Sequence, residues 1–185
     1  MIIGLTGTNG SGKDALADYL KEKGFSYHSL SDIIRDELRK KNLELTREHH
    51  IKQGNDLRKT FGPGILGKKV ADKIRKSGNK DSVVVSIRNL NELQELRKLP
   101  EFHFIFVDAP VKMRYERTVK RASQRDKENF EEFKQKEEIE MKGTVDHVQQ
   151  LGLCKKKADK IIINDGTLEQ LYKQIEQFLS KITKE

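Results

Sequence analysis

The sequence of 185 residues contains one cysteine, no tryptophan and no long apolar segment. The single cysteine, Cys154, excludes an internal disulfide, and we expect it to be an ordinary buried side chain. No apolar run approaches the roughly 20 residues that a membrane-spanning helix needs. No basic segment with a cleavage site marks a secretory signal. The composition therefore predicts a cytoplasmic protein without a membrane partner.

Acidic residues are also fewer than basic ones. The sequence has 29 aspartates and glutamates and 37 lysines and arginines, which gives a formal net charge of +8. A basic protein suits a polyanionic ligand, and charge alone does not separate a nucleotide from a nucleic acid. The chain shows no internal repeat, zinc-ligand spacing, nucleophile elbow or linker. We therefore expect a single domain over residues 1–185, large enough to bury a substantial core.

A glycine-rich segment near the start follows an apolar stretch and precedes a helical pattern. Residues 7–13 read GTNGSGK and fit the G-x-x-x-x-G-K spacing of a phosphate-binding P-loop. Glycines permit positive φ, the successive N–H groups converge on an anion at a helix N-terminus, and a lysine adds a mobile charge for the β- and γ-phosphates. The predicted phosphate-binding residues are Gly7, Thr8, Asn9, Gly10, Ser11, Gly12, Lys13 and Asp14, of which Lys13 is also predicted to be catalytic.

Asp14 departs from the P-loop pattern, which has Ser or Thr at this position to bind Mg²⁺. A carboxylate can also ligate Mg²⁺, directly or through water, but it brings negative charge close to the polyphosphate. Three interpretations follow: an active site in which Asp14 helps to hold Mg²⁺, a loop that binds nucleotide without chemistry, and a tight turn without a ligand. The strand, the glycines, the lysine and the helix together favour a loop that binds a ligand.

Apolar segments that alternate with helical patterns predict a parallel sheet. Strands are predicted over residues 1–6, 25–30, 81–87, 102–107 and 159–163. Helices are predicted over residues 14–23, from 31 onwards, over 46–61, 65–76, 91–99, 111–122 and 145–157, and after Thr167. This order predicts a three-layer α/β fold in which about five parallel strands carry helices on both faces. Residues 31–78 are too long for one crossover between two strands. We therefore interpret them as an inserted helical subdomain that binds a second substrate, the acceptor of a transferred group.

Polar residues near strand ends are site candidates, because ligands of open α/β sheets lie outside the carboxyl ends of the strands. Arg88 follows the third strand, and we interpret it as facing a phosphate, with a surface or capping role as the alternative. Asp108 ends the fourth strand, where it either holds Mg²⁺ through water or begins the next helix. Asp32 and Arg35 lie one turn apart, either as a shared binding face or as ordinary surface residues.

Arg117, Arg121 and Arg125 recur every four residues, so they can share one face of a helix. Guanidinium groups suit phosphate oxygens bidentately, and acidic partners are sparse in this stretch. Residues 123–142 are highly charged with few apolar positions, which predicts a lid-like helical segment rather than core. An ordinary solvated helix is the alternative.

These segments together resemble a small P-loop kinase of the nucleoside monophosphate kinase class, related to dephospho-CoA kinases, over nearly the whole chain. Residues 31–35, SDIIR, resemble the GD-x-(L)-R segment of adenylate-kinase-like enzymes, although Ser replaces Gly. Residues 85–89, VSIRN, resemble the DGxxR segment, although Asp-Gly is missing. The resemblance implies that Asp32, Arg35 and Arg88 bind the acceptor and that Arg88 is also catalytic. It further implies that three catalytic residues belong to a lid: Arg117, Arg121 and Arg125.

Residues 163–167, INDGT, resemble the loop that borders adenine in dephospho-CoA and adenylate kinases, which implies that Asn164 and Gly166 bind the nucleotide. The Gly-Lys-Asp ending is similar to that of phage-type deoxynucleoside monophosphate kinases, which supports activity with Asp14 in place. The resemblance implies ATP and Mg²⁺ as cofactors, with Asp14 and Asp108 near the metal. The expected activity transfers the γ-phosphoryl of ATP to a nucleoside or deoxynucleoside monophosphate.

Two other functions remain open at this point. One is a dephospho-CoA kinase-like enzyme, whose acceptor is a ribose hydroxyl. The other is a non-enzymatic ATP-binding assembly factor associated with RNA, because some adenylate-kinase-like proteins act in ribosome assembly and the basic surface suits RNA. A small-molecule nucleotide is the favoured partner, and the sequence identifies neither the acceptor nor the oligomeric state.

Overall fold

The computed structural model describes residues 1–121 and 129–183. Its described part contains one sheet of five strands, all parallel, in the order β2-β3-β1-β4-β5. The strands are β1 (Ile2–Gly7), β2 (Ser26–Ser29), β3 (Ser82–Val85), β4 (Phe102–Asp108) and β5 (Lys160–Ile163). The α/β fold predicted from the sequence is confirmed.

Helices cover both faces of the sheet and fill the connections between the strands. They are α1 (Lys13–Glu22), α2 (Leu30–Lys40), α3 (Arg47–Phe61), α4 (Ile65–Ser77), α5 (Leu90–Leu96), α6 (Val111–Arg121), α7 (Phe130–Lys142), α8 (Leu151–Lys156) and α9 (Leu168–Ile182). Three of them, α2, α3 and α4, lie in the long connection between β2 and β3, as the length of residues 31–78 predicted. Their role in binding an acceptor stays a prediction.

Strand β1 is central because its residues can be buried on both faces of the sheet. All six residues are buried, and Ile3 is in register with Val83 of β3 on one side and His103 of β4 on the other. A parallel strand covered on both faces needs a continuous run of apolar or small side chains, which the segment IIGLTG provides. Its carboxyl end therefore opens at the centre of the sheet edge, between the ends of β3 and β4.

The core consists of two apolar clusters, one on each face of the sheet. Successive residues of β3 point to opposite faces, so Val83 and Val85 join the cluster beneath α1 and α9, whereas Val84 joins the cluster beneath α2 to α5. Cys154 lies fully buried in the second cluster, as expected, and burial raises the pKa of its thiol to about 12. The cysteine therefore acts as an apolar packing residue.

The third strand is shorter than predicted and ends at Val85 instead of residue 87. Ser86 has a φ of +67°, in the left-handed region, which ends the extended conformation. Helix α5 also ends earlier than predicted, at Leu96, with Leu99 buried beyond it. The predicted end of β3 is wrong because the backbone at Ser86, and not the polarity of a side chain, ends the strand.

The helix predicted over residues 145–157 is wrong in its first half, because α8 spans only Leu151–Lys156. The backbone of the earlier residues is used by the turn after β3. Nδ2 of Asn89 donates to the carbonyl oxygens of Asp146, at 2.6 Å, and Val148, at 2.9 Å. The N–H of Gln150 donates to the carbonyl oxygen of Arg88 at 2.7 Å. These tertiary hydrogen bonds replace those that a helix would make.

Helix α7 falls in the segment that the sequence predicted to be lid-like, residues 123–142, of which residues 123–128 lie outside the described part. Its one buried residue, Phe133, contacts the ring of Tyr115 on α6 edge-on at 5.7 Å between ring centroids. The helix is thus anchored to α6 through an aromatic contact, while lid motion remains a prediction. In the described part of the chain, no helix is long and apolar enough to cross a membrane.

A buried ion pair joins α3 to the start of α5. Nε of Arg58 donates to Oε1 of Glu92 at 2.9 Å, with only 4% and 0% of their side chains exposed. Oε2 of Glu92 accepts from the N–H groups of Arg88 and Asn89, at 3.0 and 3.1 Å, and so caps α5. Removing one member of such a pair leaves an uncompensated buried charge.

We expect Arg58→Ala to lower the free energy of unfolding by about 3–5 kcal/mol, because the Glu92 carboxylate would stay buried without its partner. Urea denaturation followed by circular dichroism measures the change. Arg75→Ala is the matched control, since Arg75 pairs with Asp72 on an exposed helix face, where such pairs contribute about 0–1 kcal/mol. Equal, small effects of the two substitutions would contradict a structural role for Arg58.

Candidate active site

The segment between β1 and α1 forms the strand–loop–helix arrangement that the P-loop spacing predicted. β1 ends at Gly7 and α1 begins at Lys13. The loop turns on two glycines in the left-handed region, Gly10 at φ +76° and Gly12 at φ +95°, and the N–H of Ser11 donates to the carbonyl oxygen of Thr8 at 3.3 Å. The N-terminus of α1 therefore faces the carboxyl edge of the sheet, where backbone N–H groups can receive an anion.

The two glycines are also required by contacts with distant parts of the chain. A Cβ built at Gly10 would lie 2.5 Å from the carbonyl oxygen of Arg114 on α6. A Cβ built at Gly12 would lie 2.2 Å from Nδ2 of Asn164, in the turn after β5. Both contacts are too short for any side chain, so the loop is packed closely against α6 and the turn.

Asn164, in the turn after β5, supports the loop through hydrogen bonds. Its Nδ2 donates to the carbonyl oxygen of Ser11 at 2.8 Å, and its N–H donates to that of Asp108 at 2.7 Å. Its own carbonyl oxygen accepts from Nη2 of Arg117 at 3.1 Å, while Nη1 of Arg117 is buried with no hydrogen-bond partner among the residues the structure describes. The structure thus brings Asn164 and Arg117 to the P-loop. Gly166 lies two residues further on, at the start of the cap of α9.

Asp108 is held by hydrogen bonds on both carboxylate oxygens. Oδ1 accepts from the hydroxyl of Thr8 and from the N–H of Ala109, each at 2.9 Å, and Oδ2 accepts from Nζ of Lys155 at 2.6 Å. Burial alone would raise the pKa of Asp108, but the hydrogen bonds from Lys155, Ala109 and Thr8 outweigh it, so the pKa is lowered. The carboxylate stays ionised and ties the end of β4 to the P-loop and α8.

Lys13 and Asp14 lie side by side at the start of α1. Nζ of Lys13 is 3.4 Å from Oδ1 of Asp14, with 11% of the lysine side chain and 60% of the aspartate side chain exposed. The lysine is therefore mostly enclosed by the loop, whereas the carboxylate reaches solvent. This arrangement places one positive and one negative group at the mouth of the loop.

Arg114 supports the P-loop, a role that the sequence did not predict. The residue is buried, and its Nε donates to the carbonyl oxygen of Ala109 at 2.6 Å while Nη1 donates to that of Asn9 at 3.5 Å. Its guanidinium also forms a two-fold ion pair with Glu137 of α7, with Nη2 to Oε1 at 2.8 Å. One arginine thus joins α6, the P-loop and α7.

Arg88 lies between the P-loop and α7, at the strand end where the sequence predicted it. Its Nη1 is 3.4 Å from the carbonyl oxygen of Gly7 and 3.6 Å from Oε2 of Glu140. The side chains of Arg88 and Glu140 are 21% and 14% exposed. Arg88 therefore contacts the P-loop directly, and its charge faces a carboxylate of α7 at a distance longer than a hydrogen bond.

A cavity of about 470 Å³ extends from the P-loop to α2 and α3. Its lining includes Asn9, Arg35, His50, Arg58, Arg88 and Glu140. Arg35 forms an ion pair with Asp32 on the exposed face of α2, so the structure brings Arg35 and Arg88 to one cavity and leaves Asp32 beside it. Oε1 of Gln149, which also lines the cavity, is buried with no partner among the described residues.

His50 is a neutral group in a cavity of charged side chains. Burial lowers its pKa, and the positive charges of Arg35, Arg58 and Arg88 lower it further, against a weaker opposite effect of Asp32. Ser86 also lines this cavity in its left-handed conformation, which is uncommon for a residue other than glycine and is found at functional sites. Neither residue was singled out from the sequence.

Some predicted residues cannot be placed. Arg125 lies outside the described residues, and Arg121 ends α6 with a side chain that is likewise outside the description. Among residues 1–121 and 129–183, no three or more His, Cys, Asp or Glu side chains converge as a ready-made metal centre.

Comparisons with known proteins extend these observations. A family model described as an AAA domain matches residues 3–140. A UPF0200 protein from Thermococcus gammatolerans is 32% identical over 187 residues, which cover 98% of this chain and 95% of the relative. A UPF0200 protein from Sulfurisphaera tokodaii is 32% identical over 183 residues, which cover 98% and 97%. The matches therefore include the P-loop and run the length of the chain.

Solved structures with the same architecture carry kinase names. Shikimate kinase from Acinetobacter baumannii, in complex with shikimate, superposes with a TM-score of 0.57 at 15% identity, covering 99% of this chain and 93% of that one. A sugar kinase from a Janibacter species superposes with a TM-score of 0.54 at 15% identity, covering 97% and 94%. At these identities the likeness is one of fold, and the fold is that of P-loop kinases.

We expect Gly12→Ala to lower the free energy of unfolding by about 3 kcal/mol, because the new Cβ adds a clash with Asn164 to the strain of positive φ. Gly24→Ala is the matched control, since Gly24 has the same φ of +95° but no atom within 4 Å of the built Cβ. We expect the control to lose about 1 kcal/mol from strain alone. Chemical denaturation of both variants measures the difference, and equal losses would show that Asn164 does not restrict the loop.

Proposed function

We propose, from the fact that this chain belongs to the AAA domain family and to the UPF0200 proteins, that it is a phosphotransferase that moves the γ-phosphoryl of ATP to a nucleoside or deoxynucleoside monophosphate. The observation that carries the proposal is the cavity that begins at the P-loop residue Asn9 and contains Arg35 and Arg88. Phosphoryl transfer needs a donor and an acceptor held in line, with positive charge on the transferring oxygens. A P-loop that opens directly into a cationic cavity meets that need.

The donor half of the proposed site consists of the P-loop and the turn after β5. The backbone of residues 7–13 and Nζ of Lys13 would hold the ATP phosphates. Asn164 and Gly166 would border the base, which is supported by the packing of Asn164 against Gly12. Nη1 of Arg117, which is buried and has no hydrogen-bond partner among residues 1–121 and 129–183, adds a donor next to this turn.

The two carboxylates proposed near Mg²⁺ fit a hydrated metal ion to different degrees. Asp14 is largely exposed at the loop mouth, and its oxygens are of the ligand type that Mg²⁺ prefers. Asp108 already accepts hydrogen bonds on both oxygens, so it fits only through water and mainly positions Thr8. Bound Mg²⁺ would neutralise charge on the β- and γ-phosphate oxygens, while Lys13 balances the carboxylate of Asp14.

The acceptor half of the proposed site is the cavity wall formed by α2, α3 and the end of β3. Arg35 and Arg88 would bind the phosphate of the monophosphate, because a guanidinium can donate two parallel hydrogen bonds to phosphate oxygens. Oε1 of Gln149, which has no partner in the described part of the chain, would accept a hydrogen bond from an amino or hydroxyl group of the nucleoside. Arg121 and Arg125 would approach the transferring group as lid residues and exclude water, a proposal carried by their spacing alone.

A hydroxyl acceptor, as in dephospho-CoA kinases, is the second candidate within the same chemistry. Its supporting observation is the carboxylate of Glu140 in the cavity, since a carboxylate can take a proton from a reacting hydroxyl. An ATP-binding assembly factor associated with RNA is the candidate outside enzymes, and the net charge of +8 supports it.

The test is an acceptor screen that follows ADP release with Mg·ATP and single ribo- and deoxynucleoside monophosphates, then dephospho-CoA. We expect acceptor-dependent ADP release with a monophosphate, and loss of that release in Lys13→Ala with the fold intact by circular dichroism. Lys21→Ala, on the exposed part of α1, is the control and should retain the activity.

The remaining outcomes of the screen decide among the candidates. ADP release with dephospho-CoA alone would overturn the assignment of a monophosphate as the acceptor, but it would support the assignment of the protein as a phosphotransferase. If no compound causes ADP release, while ATP binds tightly and RNA binding depends steeply on salt, the assembly factor would be favoured. Unchanged activity in Lys13→Ala would overturn the site itself.

We expect Arg88→Ala to raise the KM of the acceptor by about 10- to 100-fold, because a charge-assisted hydrogen bond to phosphate contributes about 1.5–3 kcal/mol. Steady-state kinetics with each substrate varied in turn measures the effect. Arg39→Ala, which removes an exposed arginine paired with Asp36 on α2, should leave both KM values unchanged. A rise in the KM of ATP alone would place Arg88 on the donor side.

A further inference from the structure

Helix α7 presents two glutamates, one turn apart, to two arginines beside the P-loop. Glu137 pairs with Arg114, and Glu140 pairs with Arg88. Each arginine also donates to a P-loop carbonyl oxygen, that of Asn9 or that of Gly7. Residues three apart share a helix face, so one face of α7 is linked to the P-loop through these two arginines.

The two ion pairs differ in tightness. The pair with Arg114 is two-fold, and only 5% of the arginine side chain is exposed. In the pair with Arg88, Nη1 lies 3.6 Å from Oε2 of Glu140, beyond hydrogen-bond distance, and 21% of the arginine side chain is exposed. The pair of Arg114 and Glu137 therefore anchors α7. In the other pair, Arg88 can exchange the carboxylate of Glu140 for another anion.

The other arginines of the cavity do not offer the same exchange. Arg58 is committed to the buried Glu92, which in turn caps α5. Arg35 pairs with Asp32 on the exposed face of α2, where water already competes for both groups. Among Arg35, Arg58 and Arg88, Arg88 is therefore the cavity arginine whose ion pair combines partial burial with a separation beyond hydrogen-bond distance.

We propose that Glu140 is a specificity-determining residue of the acceptor site, whose carboxylate occupies Arg88 until the phosphate of the acceptor replaces it. This inference rests on the proposed function, because it assumes a phosphate-bearing acceptor in this cavity. A phosphate dianion makes shorter and stronger hydrogen bonds to a guanidinium than a carboxylate at 3.6 Å. Glu140 thus disfavours uncharged or weakly charged compounds, which cannot displace it.

The experiment replaces the carboxylate by its uncharged isostere in Glu140→Gln. We expect the KM of the monophosphate to fall by about fivefold, because the variant lacks the carboxylate that competes with the phosphate for Arg88 in a partly exposed ion pair. We expect kcat to stay within about twofold of the parent value. Glu138→Gln is the matched control, because Glu138 lies on the same helix but pairs with Lys142 on the exposed face. The control should change neither constant.

Two kinetic results would overturn the inference. A fall in kcat of about 100-fold or more at unchanged KM would make Glu140 a general base for a hydroxyl acceptor. Unchanged constants in Glu140→Gln would remove it from acceptor binding altogether.

Equilibrium binding separates failure of this inference from failure of the proposed function. If the full chain phosphorylates no compound in the screen, the proposed function fails, and calorimetry with the same monophosphates still tests Glu140. Tighter monophosphate binding in Glu140→Gln, lost when Arg88→Ala is added, supports the exchange on Arg88. Equal affinities of the parent and Glu140→Gln would overturn it.

Discussion

The carboxylate of Asp108 is the interaction on which the geometry of the site depends. It accepts hydrogen bonds from the P-loop through Thr8 and from α8 through Lys155, while its own backbone carbonyl oxygen receives the N–H of Asn164. The residue therefore connects the end of β4 with the P-loop that follows β1, with α8 and with the turn after β5. Its lowered pKa keeps these contacts charge-assisted at all but acidic pH, since a depressed carboxylate pKa gives stability that is lost only as the pH falls through it.

The architecture follows from local sequence signals, whereas the partners of the site residues do not. The glycine spacing specified where the P-loop would lie, because it depends on residues adjacent in the chain. The contacts of Gly10 and Gly12 with Arg114 and Asn164 join residues more than 100 positions apart, and no local pattern encodes them. The same reason explains the failure over residues 145–150, where Asn89 takes up backbone carbonyl groups that a helix would use.

Residues of the acceptor cavity show a further limit of sequence reasoning. Arg35 and Arg88 could be predicted because arginine has a recognisable chemistry at a strand end or a helix face. His50 and Ser86 acquire their character only from the fold: burial, and then three surrounding arginines, lower the pKa of the histidine, and the serine is distinguished by its backbone conformation. A sequence pattern reports residue types, whereas the potential and the strain at a site are properties of the assembled structure.

The buried pair of Arg58 and Glu92 also constrains how the cavity can diverge. Arg58 lines the cavity, but its partner holds the first turn of α5, so altering this wall disturbs a helix that forms part of the core. His50 lies about two turns earlier on the same helix, α3, and lines the same cavity, but it is not part of this ion pair. A change of acceptor preference made at Arg58 would therefore carry a cost in folding, because it would leave Glu92 buried without its partner.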